Sequence, residues 1–280
     1  MLLLPFILLM ALLFASVINV LSQSLGYIPA FGLNSFTLDY YRELIRQPTF
    51  LSALWMSLRI AFISAVIASI LGVLLCAALT AHKSNRAALQ IVRLPILVPH
   101  AVVAVFIINI FSQTGLLARL AYALGFIGDY TEFPQLLYAP GGLGIIIAYL
   151  WKEIPFIAYF SLSLMSSISS TLGEAAENLG ASPIRSFFAI TLPLSLPAVL
   201  HGFLIVFIFA FGGYELPFIL GSTLPKALPV QAHIEFIHPD LLRRPYAMAM
   251  NGIILLLSVT MAILYQRLTK RLLGYKGAKR

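Results

Sequence analysis

The chain has 280 residues, 60% hydrophobic and only 10% charged, with a mean hydropathy of +0.96. A soluble domain carries about 25% charged residues, so this sequence lacks the polar side chains needed to cover a water-facing surface and reads as a bilayer-embedded helical protein. The formal net charge is +8, but the cations gather at the ends of apolar blocks, as topology signals do, which argues against nucleic-acid binding.

A spanning helix needs about 20 mostly apolar residues, and six blocks qualify. The first, 1–20, holds no charge and extends as a helix over 1–22. It lacks a basic leading segment and a small-x-small site before Ser24, so a retained helix is expected rather than a cleaved signal. Residues 36–45 follow, with Phe36, Tyr40, Tyr41 and Leu44 at helix-like spacing; they predict a short amphipathic helix at the outer interface. The second block, 60–81, lies between Arg59 and His82 and holds the single cysteine, Cys76, which has no intrachain disulfide partner. The third covers 94–117. Pro140-Gly141-Gly142 marks a loop before the fourth, 143–165, which Lys152 and Glu153 interrupt. The fifth and sixth cover 196–220 and 246–266. The expected fold is all-α: one transmembrane domain over 1–280, six helices, core spans at about 51–266 and a basic tail over 267–280.

Lysine and arginine in the connecting segments set orientation. One side collects Lys83, Arg86, Arg93, Arg185, Arg267, Lys270, Arg271, Lys276, Lys279 and Arg280, ten cations in all. The other collects six, Arg42, Arg46, Arg119, Lys226, Arg243 and Arg244, or seven with Arg59. The excess places both termini in the cytoplasm and puts 169–193 on an inner loop.

That loop reads locally as two short helices. Thr171 followed by Glu174 has the spacing of a capping box. Ala175 and Ala176 favour helix, and Gly180 suits the left-handed residue that ends one. Ser182 and Pro183 suit an N-cap and a first helical position, and Pro193 is expected to interrupt the second helix.

These residues carry a resemblance. Glu174-Ala175-Ala176, three residues, Gly180, nine residues, Ile190, one residue, then Leu192-Pro193 resembles the EAA loop of binding-protein-dependent ABC importer permeases of type I, at every one of its seven positions. The resemblance implies a permease that does no chemistry of its own. Its loop, Glu174, Ala175, Ala176, Gly180, Ile190, Leu192 and Pro193, would form a coupling helix docked on a cytoplasmic ATPase. A periplasmic binding protein would deliver the solute, and a path would form between two permease subunits. Systems similar to the polyamine, thiamine and ferric-ion branch, which Tyr214–Gly221 resembles, often pair two different permeases, so a heterodimer is favoured.

The sequence has no Gly-x-x-x-x-Gly-Lys-Ser/Thr phosphate loop, so ATP and magnesium are expected on a separate chain, with no cofactor on this one. His233, Glu235 and His238 make a weak metal pattern, and no catalytic pair stands out. Ionisable residues at membrane depth face a cavity or a partner, which singles out Lys152, Glu153 and Glu215, with Asn109 as a buried polar candidate, for the translocation path. Buried carboxylates would suit a polyamine or another small charged solute. An ion-coupled secondary transporter is the main alternative, but it usually has more spans or an inverted repeat, and no corresponding halves are seen.

Overall fold

A computed structural model describes residues 3–81 and 86–272. Lys83, Lys276, Lys279 and Arg280, which count toward the charge asymmetry, lie outside the described residues, as does most of the basic tail. In chain order the helices are α1 Leu4–Ser24, α2 Asp39–Arg46, α3 Pro48–Ala81, α4 Arg86–Leu97, α5 His100–Phe111, α6 Leu116–Ala123, α7 Leu143–Ile168, α8 Glu174–Asn178, α9 Pro183–Ser186, α10 Leu192–Gly212, α11 Glu215–Leu220, α12 Leu228–Phe236 and α13 Arg244–Leu272. Six helical segments among the described residues are long and apolar enough to span: Leu4–Ser24, Pro48–Thr80, His100–Ala123, Leu143–Asn178, Pro183–Gly212 and Leu241–Lys270.

The span count agrees with the sequence, while several ends move. The third span starts at His100 rather than near residue 94, because α4 stops at Leu97. Pro99 has no N–H to continue the ladder and disfavours helix at Val98 before it. The fifth span was expected over 196–220; it runs from Pro183 to Gly212, and 215–220 form the separate α11 after the extended Gly213. The short amphipathic helix occurs at Asp39–Arg46, with Phe36 outside it and stacked on Tyr27 at 4.8 Å. Its start is fixed by Asp39, which accepts from the Thr37 hydroxyl at 2.6 Å and pairs with Arg42 at 3.1 Å. The Thr37 bond, with Arg42 behind it, holds the Asp39 carboxyl below its ordinary range.

The helices cluster into two compact units. One holds the chain up to Ser57 together with Leu224–Thr260; the other holds Leu58–Thr223 and the chain from Met261 on.

In the first unit α2 is fastened by tyrosines. Tyr41 donates to the Ser24 hydroxyl at 2.8 Å, and Tyr40 packs edge-on against Tyr246. Tyr246 in turn donates to the Glu43 carboxylate. Gly252 lies where the Tyr41 hydroxyl leaves no room for a Cβ. The Ser57 hydroxyl accepts from the Leu228 N–H at 2.7 Å, satisfying a donor that the start of α12 leaves open. Glu235, nearly buried, is gripped by Arg243 at 2.7 and 3.2 Å; this spends the carboxylate of the weak metal pattern on a guanidinium.

In the second unit the close packing centres on α7. Apolar burial does not by itself drive helices together in lipid, so association depends on close approach and fit. Ile157 of α7 supplies the fit: a Cβ on Gly72 of α3 or on Gly202 of α10 would come within 2.7 Å of it. Below it Val73, Cys76, Ala158, Met165 and Val199 form a buried cluster, covered by Leu162, Phe187 and Leu192. Arg59 donates to the Pro140 carbonyl at 2.7 Å, fixing the turn that leads into α7, where Gly142 takes the left-handed conformation at φ +67°.

Candidate functional sites at the hairpin and the cavity

The hairpin between the fourth and fifth spans differs from its local reading at both ends. Thr171 caps nothing. Helix α7 runs through a π-turn at Ser169–Gly173 directly into α8, so no N–H is left open at that point. The Thr171 hydroxyl donates backward to the Ser167 carbonyl at 2.8 Å instead. Pro193 likewise does not end the second helix. A second π-turn, Phe187–Thr191, widens the backbone just before it, and helix continues to Gly212. Such wide turns relieve a missing or competing hydrogen bond without breaking a helix.

The tip follows the sequence closely. Gly180 has φ +94°; its N–H donates to the Glu177 carbonyl at 2.9 Å, and the Ala181 N–H donates to Ala176 at 3.0 Å. This is a Schellman termination, which needs a residue at positive φ. Ser182 accepts from the Arg185 N–H at 3.3 Å, with Pro183 at the first helical position. At the base the two π-turns meet: Ser186 is buried and donates to the Gly173 carbonyl at 3.2 Å, and Gly173 has no Cβ to hold the turns apart.

Of the motif residues, Glu174, Ala175, Gly180 and Pro193 are exposed, while Ala176, Ile190 and Leu192 are half-buried. The crown of the hairpin is apolar, with Leu179 90% exposed and Ile184 73%, and Leu172 and Phe188 are open on the stem below it. Exposed apolar side chains on a short rigid tip are what a protein groove accepts.

The second site lies in the same unit as α7. Lys152 and Glu153 are neighbours in sequence and point apart. The Lys152 ammonium donates to the Val98 carbonyl at 2.5 Å, just past the end of α4, where carbonyls lack helical partners and a cation is favoured. Glu153 is 5% exposed, and neither of its carboxylate oxygens meets a donor among the described residues. Both residues line a cavity of about 200 Å³ with Ile96, His100, Tyr149, Phe156 and Phe209 among its walls.

Glu215, at the start of α11, lines an adjoining cavity of about 280 Å³. His100, Tyr149 and Phe209 belong to both cavities. The His100 Nδ1 is 3.9 Å from the Glu215 carboxylate, whose side chain is 62% exposed. Three of the four residues picked for the path therefore come together around His100. Asn109 does not join them; it is exposed and donates to the Val105 carbonyl of its own helix at 2.8 Å. His100 was missed because nothing in the sequence ties it to Glu215. Its signal was local: it follows Pro99, at the break that frees the Val98 carbonyl for Lys152.

Six helices long and apolar enough to span, a capped hairpin between the fourth and fifth, and a charged cavity beside α7 define a polytopic helical membrane protein. The chain belongs to the family of binding-protein-dependent transport system inner membrane components, whose model matches residues 74–274. It is 30% identical over 172 residues to the putrescine transport system permease protein PotI of Escherichia coli K12, covering 60% of this chain. The match spans about half of that relative, 55% of its length. The sulfate transport system permease protein CysT of E. coli K12 is 25% identical over 84% of this chain and 83% of its own. The fold is shared with a chain of a bacterial ABC transporter involved in the import of the acidic polysaccharide alginate, at TM-score 0.79 and 20% identity over 96% of this chain and 94% of that one. It is also shared with the MetNI methionine ABC transporter, at TM-score 0.59 and 16% identity over 79% of this chain and 95% of that one.

Proposed function

We propose that this chain is the permease subunit of an ABC importer, carrying a small charged solute across the cytoplasmic membrane without chemistry of its own. The observation that carries the reading is the hairpin. It joins the full Glu174–Pro193 motif to a capped tip with an apolar crown, in a chain whose family is defined by binding-protein-dependent transport. In this reading the crown, Leu179 and Ile184 foremost, docks in a groove of a separate ATPase chain that binds ATP and magnesium. Glu174, Ala175, Ala176 and Gly180 form the docking helix and its termination. Ile190, Leu192 and Pro193 anchor the returning helix: Leu192 packs on the core cluster with Phe187, so movement of the tip is passed to α7 and α10. The charge asymmetry supports a cytoplasmic hairpin and cytoplasmic termini.

The full assembly is two ATPases, this chain, a second and different permease, and a periplasmic binding protein. The relatives by name serve putrescine and sulfate, which supports a small charged cargo and leaves its sign to the cavity. Lys152, Glu153 and Glu215 line the path in this reading; Asn109 stands apart from it.

Purification of the tagged chain in mild detergent tests the proposal. An ATPase and a second permease should accompany it, and uptake into proteoliposomes should require ATP. A lone chain that transports on a proton gradient and ignores ATP would sink the reading in favour of a secondary transporter.

A further inference from the structure

By sequence Arg93 belongs to the cations of a connecting segment; the structure sets it against a span instead. Two contacts fix the register of α4 on α7. The Lys152 ammonium donates to the Val98 carbonyl at 2.5 Å. Closer to the hairpin, the Arg93 guanidinium donates to the Tyr159 hydroxyl at 2.5 Å and lies over the Tyr159 ring, 4.4 Å from its centroid. At 1.5 Å per residue Tyr159 is about 24 Å along α7 from Leu143, inside the roughly 30 Å of a hydrocarbon core. An arginine at that depth faces a cavity or a partner, and no carboxylate pairs with Arg93 among the described residues.

Both residues extend the walls of the cavity beside α7. Arg93 is one turn from Ile96 on α4, and Tyr159 is one turn from Phe156 on α7; Ile96 and Phe156 line that cavity. The stripe of α7 that holds Lys152, Phe156 and Tyr159 continues at helical spacing through Ser163 and Ser166, both exposed, toward the π-turn at the base of the hairpin. Exposed hydroxyls on a spanning helix suit water or a partner better than lipid. The groove thus runs from the cavity, past a stacked guanidinium, to a row of hydroxyls.

We propose that Arg93 closes the hairpin end of the path: stacked on Tyr159, its guanidinium separates the cavity from a serine-lined exit and sets a fixed positive charge there that repels protons and small cations between cycles. A planar guanidinium stacks on the ring and bonds the hydroxyl at once, which an ammonium does less well. Movement of α4 away from α7 lifts Arg93 off the ring and opens the exit. The break at Val98 and Pro99 lets α4 move apart from α5. Tyr159 stands on the helix that runs on into the hairpin, so a displaced tip acts on the closure directly. The inference rests on the importer reading and adds the place where the path shuts.

The test uses the whole transporter, purified through this chain and placed in proteoliposomes with the hairpin side outward. Cys76 is wholly buried and stays silent, so reporters are added singly: Phe156→Cys on the cavity side of Arg93 and Ser163→Cys on the exit side. The probe is a charged, membrane-impermeant thiol reagent, read as a mass shift of this chain. Ser163→Cys should react at one rate whether Arg93 is present or replaced. Phe156→Cys should react slowly with Arg93 in place and about tenfold or more faster with Arg93→Ala, the scale for losing a stacked, hydrogen-bonded guanidinium. Arg93→Lys, which keeps the charge without the flat stack, should restore part of the protection. Vesicles carrying Arg93→Ala should also leak protons faster than the parent. Recovery of the ATPase with each variant separates an opened path from a lost fold, and Tyr159→Phe, the mildest change, keeps the comparison where Arg93→Ala is not recovered; it should react at an intermediate rate. Equal Phe156→Cys rates with and without these changes, or an unreactive Ser163→Cys, overturns the inference and leaves the importer reading standing. So does a phospholipid held by the parent and lost from Arg93→Ala at equal labelling rates, which would assign Arg93 to a lipid headgroup. Absence of any ATPase overturns the importer reading beneath it.

Discussion

Gly180 gives the sharpest handle on the docking hairpin. Its φ of +94° lies where L-residues are strained, and a Cβ built there meets no atom within 4 Å. Substitution therefore changes the backbone cost and nothing else nearby. Placing an alanine in a left-handed conformation costs roughly 1–2 kcal/mol, and a β-branched valine costs more. Asparagine tolerates this region best among the non-glycine residues. A free hairpin can relax away from the strain by opening its tip, but docking needs the tip formed, so the cost should fall on ATPase affinity. At about 1.4 kcal/mol per tenfold, Gly180→Ala should weaken ATPase binding by roughly 5- to 30-fold, and Gly180→Val by more. Gly180→Asn should stay near the parent. The assay is titration of the purified ATPase onto the permease in lipid nanodiscs, with thermal unfolding of the permease alone as control. The spans should melt unchanged. Equal affinity for Gly180→Val and the parent, or an asparagine variant as weak as valine, would refute the reasoning.

Other expectations concern the supports of the fold. Gly72→Leu and Gly202→Leu should each lower the melting temperature in detergent, because both remove the space that Ile157 occupies; Ile157→Ala should recover part of the loss for Gly202→Leu, whose clash is with the Ile157 Cδ1, and not for Gly72→Leu, which still meets the Ile157 Cβ and the Ile154 carbonyl. Ser57→Ala takes the acceptor from the Leu228 N–H inside a buried contact and should cost about 1–3 kcal/mol in thermal unfolding, as for a stranded buried donor. Arg243→Ala leaves the nearly buried Glu235 carboxylate without its countercharge, with only the Gln231 amide donating to it at 3.5 Å. The loss should be roughly 1–3 kcal/mol, below that of a fully buried pair because Arg243 is half exposed; Arg243→Ala with Glu235→Gln should regain stability, and a double variant no better than the single would count against the pair.

The sequence carried the number of spans because 20-residue apolar blocks have few other uses in a 280-residue chain. It carried the hairpin tip because Gly180, Ser182 and Pro183 act on their own neighbours. It misread both hairpin ends because Thr171 and Pro193 admit two local outcomes. A Ser/Thr before Glu can cap a helix or bond backward within one, and a proline can stop a helix or sit after a widened turn. Which occurs depends on the partner helix: the π-turns face one another through Ser186 and Gly173, a contact thirteen residues apart. The cavity was half legible. Charge at membrane depth marked Lys152, Glu153 and Glu215, while their meeting at His100 depends on the break at Pro99, whose consequence is felt on another helix.

The paired π-turns also set an arithmetic for the chain. Each adds one residue over a plain α-helix, and a residue is worth about 100° of rotation. Deleting Ser170 would let the first turn close into α-helix with Glu174–Ala176 facing nearly as before, whereas a stem that kept Ser170 and wound as plain α-helix would swing them by about that angle relative to α7. The face that the motif presents is thus indexed by a spacing, not by the motif residues themselves. A hairpin with every signature residue intact would still point its crown the wrong way if its stem wound as plain α-helix without the wide turn.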